Sequence, residues 1–409
     1  MKKQLASAEV EVLALSPGLR RYLFLTAAIT GGCIMVVEIL GAKMLAPYLG
    51  TSHFVWTAQI AVALIALSAG YYLGGRLVDR STRLRRLYAC ILFAAIYLTL
   101  TLLVVEPVAF WSLRFNLEMG TLLCSMILYF VPLALLAMTG PFVVRVITVA
   151  VAGVGGNVGR LTAVSTLGSF AGTVMIGYVL IPRFPNSFTL YGCAALLMLV
   201  VAGYFLVWER NTSARGAMVA VVLFGMVIGF LGVARGLRVD YPGAEEVYRS
   251  NSAFGLMQVL ESTTDNRRLY LNDYLVQNTY DPFHRRSDSM FTYMLSGLAQ
   301  TYTPRLDSAL CIGLGIGIVP MDFANRGIEV DAVEINAAVV PLATNYFAFD
   351  PARVDVTIGD GRYFLNQTSK RYDTVILDAF IGDSSPSHLM TLEAFAAMKN
   401  VLNPGGTLV

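Results

Sequence analysis

"ALCIGLGIGIVPMDFANRGIEVDAVEIN", Ala309 to Asn336, is an apolar strand run, a glycine-punctuated turn, a short helical stretch and a second strand run ending in an acid. Gly313, Gly315 and Gly317 follow the first run, where missing side chains let a ligand approach the backbone and the N-terminus of the next helix. Pro320 suits the first turn of that helix. Glu334 closes the second run about twenty residues after the first glycine, the spacing at which a carboxylate accepts from both ribose hydroxyls. The turn is GxGxG rather than the GxGxxG of a dinucleotide site, and no Walker lysine follows it. A sulfonium nucleoside therefore fits better than a phosphate-bearing ligand, while a purely structural role for the glycines stays open.

The alternation continues downstream. Strands are expected near Ser308–Ile312, Glu329–Glu334, Val354–Ile358, Thr374–Leu377 and from Thr407 onward, with helices between them. That pattern specifies a doubly wound, mainly parallel sheet, a Rossmann-like fold of methyltransferase type whose ligands bind beyond the carboxyl ends of the strands. Asp360 and Gly361, in "GDGR", follow the third strand; Asp360 reads either as an acceptor for an adenine amino group or as a helix cap. Asp378, in "TVILDAF", ends the fourth and points to where chemistry would occur. A carboxylate behind a buried apolar strand needs a compensating partner. The last residues, "NPGGTLV", read as a turn entering a strand that breaks off, so the sequence is expected to be a piece of a longer protein.

Upstream, Asn251 to Asn278 alternates like a small antiparallel sheet with turns at "DNRR" and "LND", and "SMFTYMLSGLAQTY" is helical in period. Before about Ala234 the texture changes. The 409-residue chain is 56% hydrophobic and 14% charged, well outside a globular composition, and the apolar residues are concentrated in its first half. Hydropathy gives about seven spans of roughly 18–22 residues, long enough to cross a bilayer. They lie near Tyr22–Leu40, Phe54–Leu73, Leu87–Val105, Thr121–Met138, Leu161–Ile181, Phe188–Val207 and Ala217–Ala234. Pro141–Val154, short and carrying Arg145, is expected to be a separate interfacial helix. The division expected is a membrane domain over 1–238, a small β subdomain and linking helix over 239–300, and the nucleoside-binding domain over 301–409.

Arg76, Arg80, Arg83, Arg85 and Arg86 crowd the loop after the second span, which puts it and the N-terminus on the cytoplasmic side of a cell (inner) membrane. Seven spans then carry the soluble part outside, whereas an adenosylated cofactor is made inside; the sequence leaves both sides open. Glu38 falls within the first span and reads as a cation path or as an interfacial acid paired with Lys43 or an arginine. Gly168, Ser169, Gly172 and Gly177 suit close helix packing in lipid. The net charge of +3, without a basic cluster interleaved with aromatics, gives no argument for nucleic acid as a partner, and none is expected. Cys33, Cys90, Cys124, Cys193 and Cys311 show no CxxC or zinc spacing and read as buried free thiols. His53, His284 and His388 make no metal constellation, so no metal is expected; His388, in "SPSHLMTLEAF" shortly after the proposed site, reads as a loop residue positioning the next helix, with a proton carrier as the alternative.

From about Glu246 onward the chain resembles the spermidine synthases, or polyamine aminopropyltransferases, in "LYLNDYLVQ", "ALCIGLGIG", "VDAVEIN", "IGDGR" and "YDTVILDAF". The apolar half, in "VEILGAKMLAPYLG", "SAGYYLGGRLVDR" and "TLGSFAGT", resembles multi-pass fused major-facilitator/spermidine synthase proteins. The resemblance implies binding of decarboxylated S-adenosylmethionine, with Glu334 on the ribose, Asp360 beside the adenine and Gln277 bordering the cofactor tail. It implies Asp378 as the base that lets an amine attack the carbon next to the sulfonium. Asp383 is a weaker catalytic candidate, and Asp281 and Tyr293 are weaker candidates near the acceptor, a small amine or polyamine. Two departures stand out: Ile316 occupies the place of a glycine-turn aspartate, and the second acid after the fourth strand is displaced to Asp383. A dication wants a strongly acidic pocket, so the departures put putrescine in question. Two other readings follow: a methyltransferase using S-adenosylmethionine itself, or a transporter whose soluble domain senses a nucleoside or polyamine. The lipid bilayer is an expected partner, and a homo-oligomer is left open.

Overall fold

A computed structural model describes residues 15–50, 52–148, 154–209, 211–237, 241–380 and 386–409. The chain divides into two compact units, Met1–Val239 and Asp240–Val409.

In the first unit, seven helices among the described residues are long and apolar enough to cross a membrane: α1 Pro17–Leu49, α2 His53–Arg80, α3 Leu84–Ser112, α4 Leu117–Ile147, α5 Val154–Arg183, α6 Asn186–Val207 and α7 Thr212–Arg235. A helix covers each of the seven expected stretches and extends beyond it at one or both ends. Pro141–Val154 departs from expectation, because Thr139–Ile147 continues α4 instead of forming a separate helix. Met138 keeps helical torsions and its carbonyl accepts the Phe142 N–H, so no loop intervenes. Both α4 and α5 widen into a π-turn, at Met126–Phe130 and Ile176–Leu180, just before Pro132 and Pro182. A proline ring collides with the carbonyl four residues back and offers no N–H, and the wider turn relieves both.

The packing of α1 on α5 runs through small residues. A Cβ on Gly168 would stand 2.0 Å from the Ala28 carbonyl oxygen, and one on Gly172 would stand 2.5 Å from that of Gly32. Ser169 Oγ lies against Gly31, whereas Gly177 has open space around it and takes no part in the contact. Glu38 is half-buried on α1. The five cysteines are free, and all but the half-buried Cys90 are buried.

The second unit opens with a β-meander, β1 Ala244–Ser252, β2 Gly255–Ser262, β3 Arg268–Asn272, β4 Leu275–Asp281 and β5 Arg286–Ser287, paired antiparallel in that order. It is larger than the Asn251–Asn278 sheet expected. Asp273 and Tyr274, both at positive φ, make the two-residue turn between β3 and β4, the twist that matches a hairpin. Helix α8, Met290–Tyr302, leads into the parallel sheet: β6 Ser308–Ile312, β7 Glu329–Glu334, β8 Asp355–Ile358, β9 Tyr372–Leu377 and β10 Leu402–Leu408. Their order is β10-β9-β6-β7-β8, every pair parallel. Helices α9 Ile318–Asn325, α10 Val339–Phe347, α11 Gly361–Gln367 and α12 Leu392–Asn400 connect the strands. One apolar core joins Met257, Val259, Tyr270 and Tyr280 of the meander to Cys311, Phe323, Ala332 and Phe347 of the parallel layer. Arg268 Nη1 donates to the Tyr346 carbonyl at 2.9 Å across the same boundary.

The chain runs from β6 outward through β7 and β8, then returns to place β9 and β10 on the other flank of β6. The crevice beyond β6 and β9 is thus a topological switch point, where sheets of this kind hold ligands.

Candidate functional site

The register fixes which side chains meet at that crevice. Ile312 pairs with both Val333 and Leu377, and Glu334 pairs with Ile358. Gly313, Glu334, Asp360 and Asp378 therefore leave their strands at one rim. The Gly313 N–H donates to the Val333 carbonyl and the Asp378 N–H to that of Ile312, which ties the three central strand ends together.

Gly313 stands at φ 98°, and a Cβ there would be 2.0 Å from the Asp378 carbonyl oxygen. Only glycine allows β6 and β9 to end this close. Gly315, at φ 53°, has nothing within 4 Å of where its Cβ would be, and it lines the cavity, so the missing side chain leaves ligand space. Gly317 begins α9 against the Phe349 ring and lies outside the cavity lining.

The cavity has a volume of ≈ 660 Å³ and brings together Gln277, Gly313, Gly315, Glu334, Asp360, Gly361 and Asp378, within the size range of small-molecule sites. Glu334 is buried. Its Oε2 accepts from Leu314 N at 3.0 Å and its Oε1 from Asn336 N at 2.8 Å. Burial pushes its carboxyl up, against the backbone N–H groups that hold it down. Each oxygen keeps a lone pair for a further donor.

Asp360 does both things the sequence allowed. Oδ1 caps α11 by accepting from Tyr363 N at 2.8 Å, and Oδ2 lies 2.9 Å from His388 Nε2 while the residue borders the cavity. Gly361 starts that helix pressed on Ile312. His388 itself lines the cavity. It sits in a single helical turn before α12, and only tertiary contact shows that it faces Asp360 instead of merely bracing a loop.

Asp378 is half-buried behind β9. Burial, and then the negative charge of Glu334, push its carboxyl up to about 6. It remains largely ionised at neutral pH yet is a stronger base than an exposed aspartate, the compromise that general-base catalysis favours.

Other candidates lie elsewhere. Asp281 turns into its own hairpin, accepting from the Phe283 and His284 amides and contacting the His284 ring. The His284 amide and ring hold its carboxyl down, at about 2. Tyr293 is half exposed and donates its hydroxyl to the Ser287 carbonyl at 2.6 Å. Neither borders the cavity. Asp383 lies outside the described residues. Ile316, the departure noted in the glycine turn, is buried and lines the cavity beside Gly315.

No Lys or Arg lines the cavity among the described residues; its charged groups are the three carboxylates and, when protonated, His388. Among the described residues the lining is thus acidic. Residues 289–409 match the family model described as Spermine/spermidine synthase domain.

This synthase-like part is fused to the helical first unit. The polyamine aminopropyltransferase of Vibrio vulnificus is 37% identical over 136 residues, 32% of this chain and 45% of that protein. The N-terminal histidine N-methyltransferase of Emericella nidulans is 29% identical over 188 residues, 40% of this chain and 33% of the relative. The spermidine synthase from Thermotoga maritima is 21% identical, with 39% of this chain and 54% of that chain covered at a TM-score of 0.33. The chain spans less than half the length of these two curated relatives.

Tyr270, Phe254, Phe291, Met294 and Leu298, which complete the cavity from the meander and α8, were not singled out from the sequence. The spacing of Phe291, Met294 and Leu298 on one helix face was a usable signal, but core packing explains such a stripe equally well until the neighbours are known.

Proposed function

We propose that the second unit is a transferase that moves an aminopropyl group from decarboxylated S-adenosylmethionine to an amine, and that the first unit anchors it in a membrane. The observation that carries the reading is the convergence of Glu334, Asp360 and Asp378 on a cavity bare of Lys and Arg among the described residues.

The residues present fit such a nucleoside. Glu334, fixed by the Leu314 and Asn336 amides, offers its remaining lone pairs to two ribose hydroxyls. Gly315 leaves room for the sugar, and Asp360, steadied by Tyr363 N and His388, accepts from the adenine amino group. Gln277 borders the cavity from the meander side. The sulfonium supplies the electrophilic carbon and a neutral thioether leaving group. Asp378 takes the proton of the acceptor ammonium, freeing the nitrogen lone pair that forms the new C–N bond as the C–S bond breaks. Among the described residues no Lys or Arg lines the cavity to meet a carboxylate, which supports the decarboxylated cofactor over S-adenosylmethionine.

The test is release of methylthioadenosine by the full-length protein from labelled decarboxylated S-adenosylmethionine, with a panel of amines. Release that depends on the amine and vanishes in Asp378→Asn is expected. Absence of release with every amine refutes aminopropyl transfer. The Ile316 departure permits a second reading, methyl transfer from S-adenosylmethionine, since the glycine turn lacks the acid of the spermidine synthases. Tighter binding of S-adenosylmethionine than of its decarboxylated form would select that reading.

A further inference from the structure

We propose that one end of the β-meander docks on an anionic lipid surface through the turn between β4 and β5. The inference rests on the reading that the first unit lies in a membrane, and it adds a second contact of the chain with that membrane.

Strand register brings three features to the same end of the meander. Ala244, where β1 begins, pairs with Ser262 at the end of β2; Arg268, which opens β3, pairs with Tyr280, and Asp281 pairs with Arg286. The chain entry, the 263–267 turn and the 282–285 turn therefore share that end, where the Thr263 N–H donates to the Gly243 carbonyl at 3.0 Å. Residues 238–240 alone stand in the chain between Leu237, the end of the last helix of the first unit, and Tyr241. Such a tether reaches at most ~14 Å, so the chain enters the meander close to any bilayer that holds the helix.

The 282–285 turn is fixed and exposed. Asp281 Oδ1 accepts from the Phe283 and His284 amides at 2.9 and 3.0 Å, and Oδ2 meets the His284 ring. Phe283 is 85% exposed, more than any other large apolar side chain among the described residues. Arg285 and Arg286, both exposed, follow it. The acids around this turn already have cations: Asp265 and Asp288 have Arg267, Glu261 has Arg268 and Asp281 has His284. Among the described residues Arg285 and Arg286 enter no ion pair. The exposed Glu245 stands on β1, at the opposite edge of the sheet from β5. A wet aromatic ring followed by two unmatched guanidinium groups is what an anionic interface rewards, through apolar burial and attraction to headgroup phosphates together.

The other end of the meander carries the β1–β2 and β3–β4 turns, and Phe254, Asn272 and Val276 there line the cavity. Docking through the 282–285 turn thus keeps lipid and cavity at opposite ends of one sheet, and the acceptor amine enters from water.

Spin labels on the full chain in nanodiscs test the docking, in a Cys90→Ser background because the other four cysteines are buried. They are placed singly by Phe283→Cys, by Leu275→Cys at the cavity end of β4, and by Leu64→Cys on α2, where the native leucine is 63% exposed. Collisions with oxygen report lipid, and collisions with a water-soluble nickel chelate report water. In phosphatidylcholine with phosphatidylglycerol, the label at 283 is expected to favour oxygen as the label at 64 does, and the label at 275 to favour nickel. Arg285→Gln combined with Arg286→Gln, or phosphatidylcholine alone, is expected to lower the docked-to-free ratio at 283 on the order of 10-fold. A label at 283 as open to nickel as the one at 275, with the label at 64 in lipid, overturns the docking alone. Oxygen preference at 283 that neither the arginine variant nor neutral lipid moves overturns the anionic partner. A label at 64 that favours nickel overturns the membrane reading and the docking with it.

Discussion

Two pairs of glycines, one in each unit, do different work with the same missing side chain. On α5, Gly168 and Gly172 let a helix backbone come against Ala28 and Gly32 of α1. Backbone meets backbone there, so the contact depends on close van der Waals approach, and any side chain pushes the helices apart. In the glycine turn, Gly313 brings β6 against the Asp378 carbonyl, but two residues later Gly315 faces open space on the cavity. One glycine is there for a neighbour already present; the other leaves open space. A consequence follows at Asp378, which the close strand ends hold half-buried beside Glu334. The helical unit trades nothing for its close packing, whereas the turn keeps a carboxylate where its charge is unwelcome.

The sharpest way to break this comparison is Asp378→Asn. The variant is expected to lose ~10³-fold in turnover yet to be more stable without ligand. Because the folded carboxyl titrates at about 6, the proton it binds contributes stability that is fully present below the unfolded value near 4 and is lost as pH rises through 6. At pH 8 the asparagine variant should therefore gain up to about 3 kcal/mol, and at pH 3.5 almost nothing. Thermal unfolding of the full chain at the two pH values checks it, and an equal gain at both would show that burial of charge is not the cause.

Gly168→Leu comes next. A side chain aimed at the Ala28 carbonyl is expected to cost about 3 kcal/mol in the helical unit, read as a lower unfolding temperature in detergent with nucleoside binding by the second unit intact. Gly315→Ala should separate the two uses of glycine within one turn. It is expected to lose ~10-fold in methylthioadenosine affinity for only about 1 kcal/mol of stability, since the cost of its left-handed backbone is the sole folding penalty. If stability falls as much as affinity, the space beside Gly315 is structural.

Smaller effects sharpen the same contrast. Asp360→Ala removes a helix cap and should cost about 1 kcal/mol, while Asp360→Asn keeps the cap and loses the charge facing His388. Denaturant titration of both variants, alongside methylthioadenosine binding, divides the capping role from the binding one. Gly177→Ala, with open space around it, should change helical stability by less than about 0.5 kcal/mol. A large loss there would mean that α5 has a neighbour at this position.

Periodicity and punctuation were legible from residues alone. Helices long enough to span a bilayer, strands of the parallel sheet and acids at their ends all follow from local patterns, because hydrophobic period and turn chemistry act over a few residues. That is why the rim carrying Gly313, Glu334, Asp360 and Asp378 could be drawn from the chain. What tertiary structure decided were relations between residues far apart. It placed His388 on Asp360, carried α4 through to Ile147, put Asp281 and Tyr293 off the cavity, and brought Phe291, Met294 and Leu298 of α8 into the cavity lining. Side-chain identity fixes what a group can do; which groups share a cavity depends on strand order and packing across some hundred residues of chain, and no local pattern contains that.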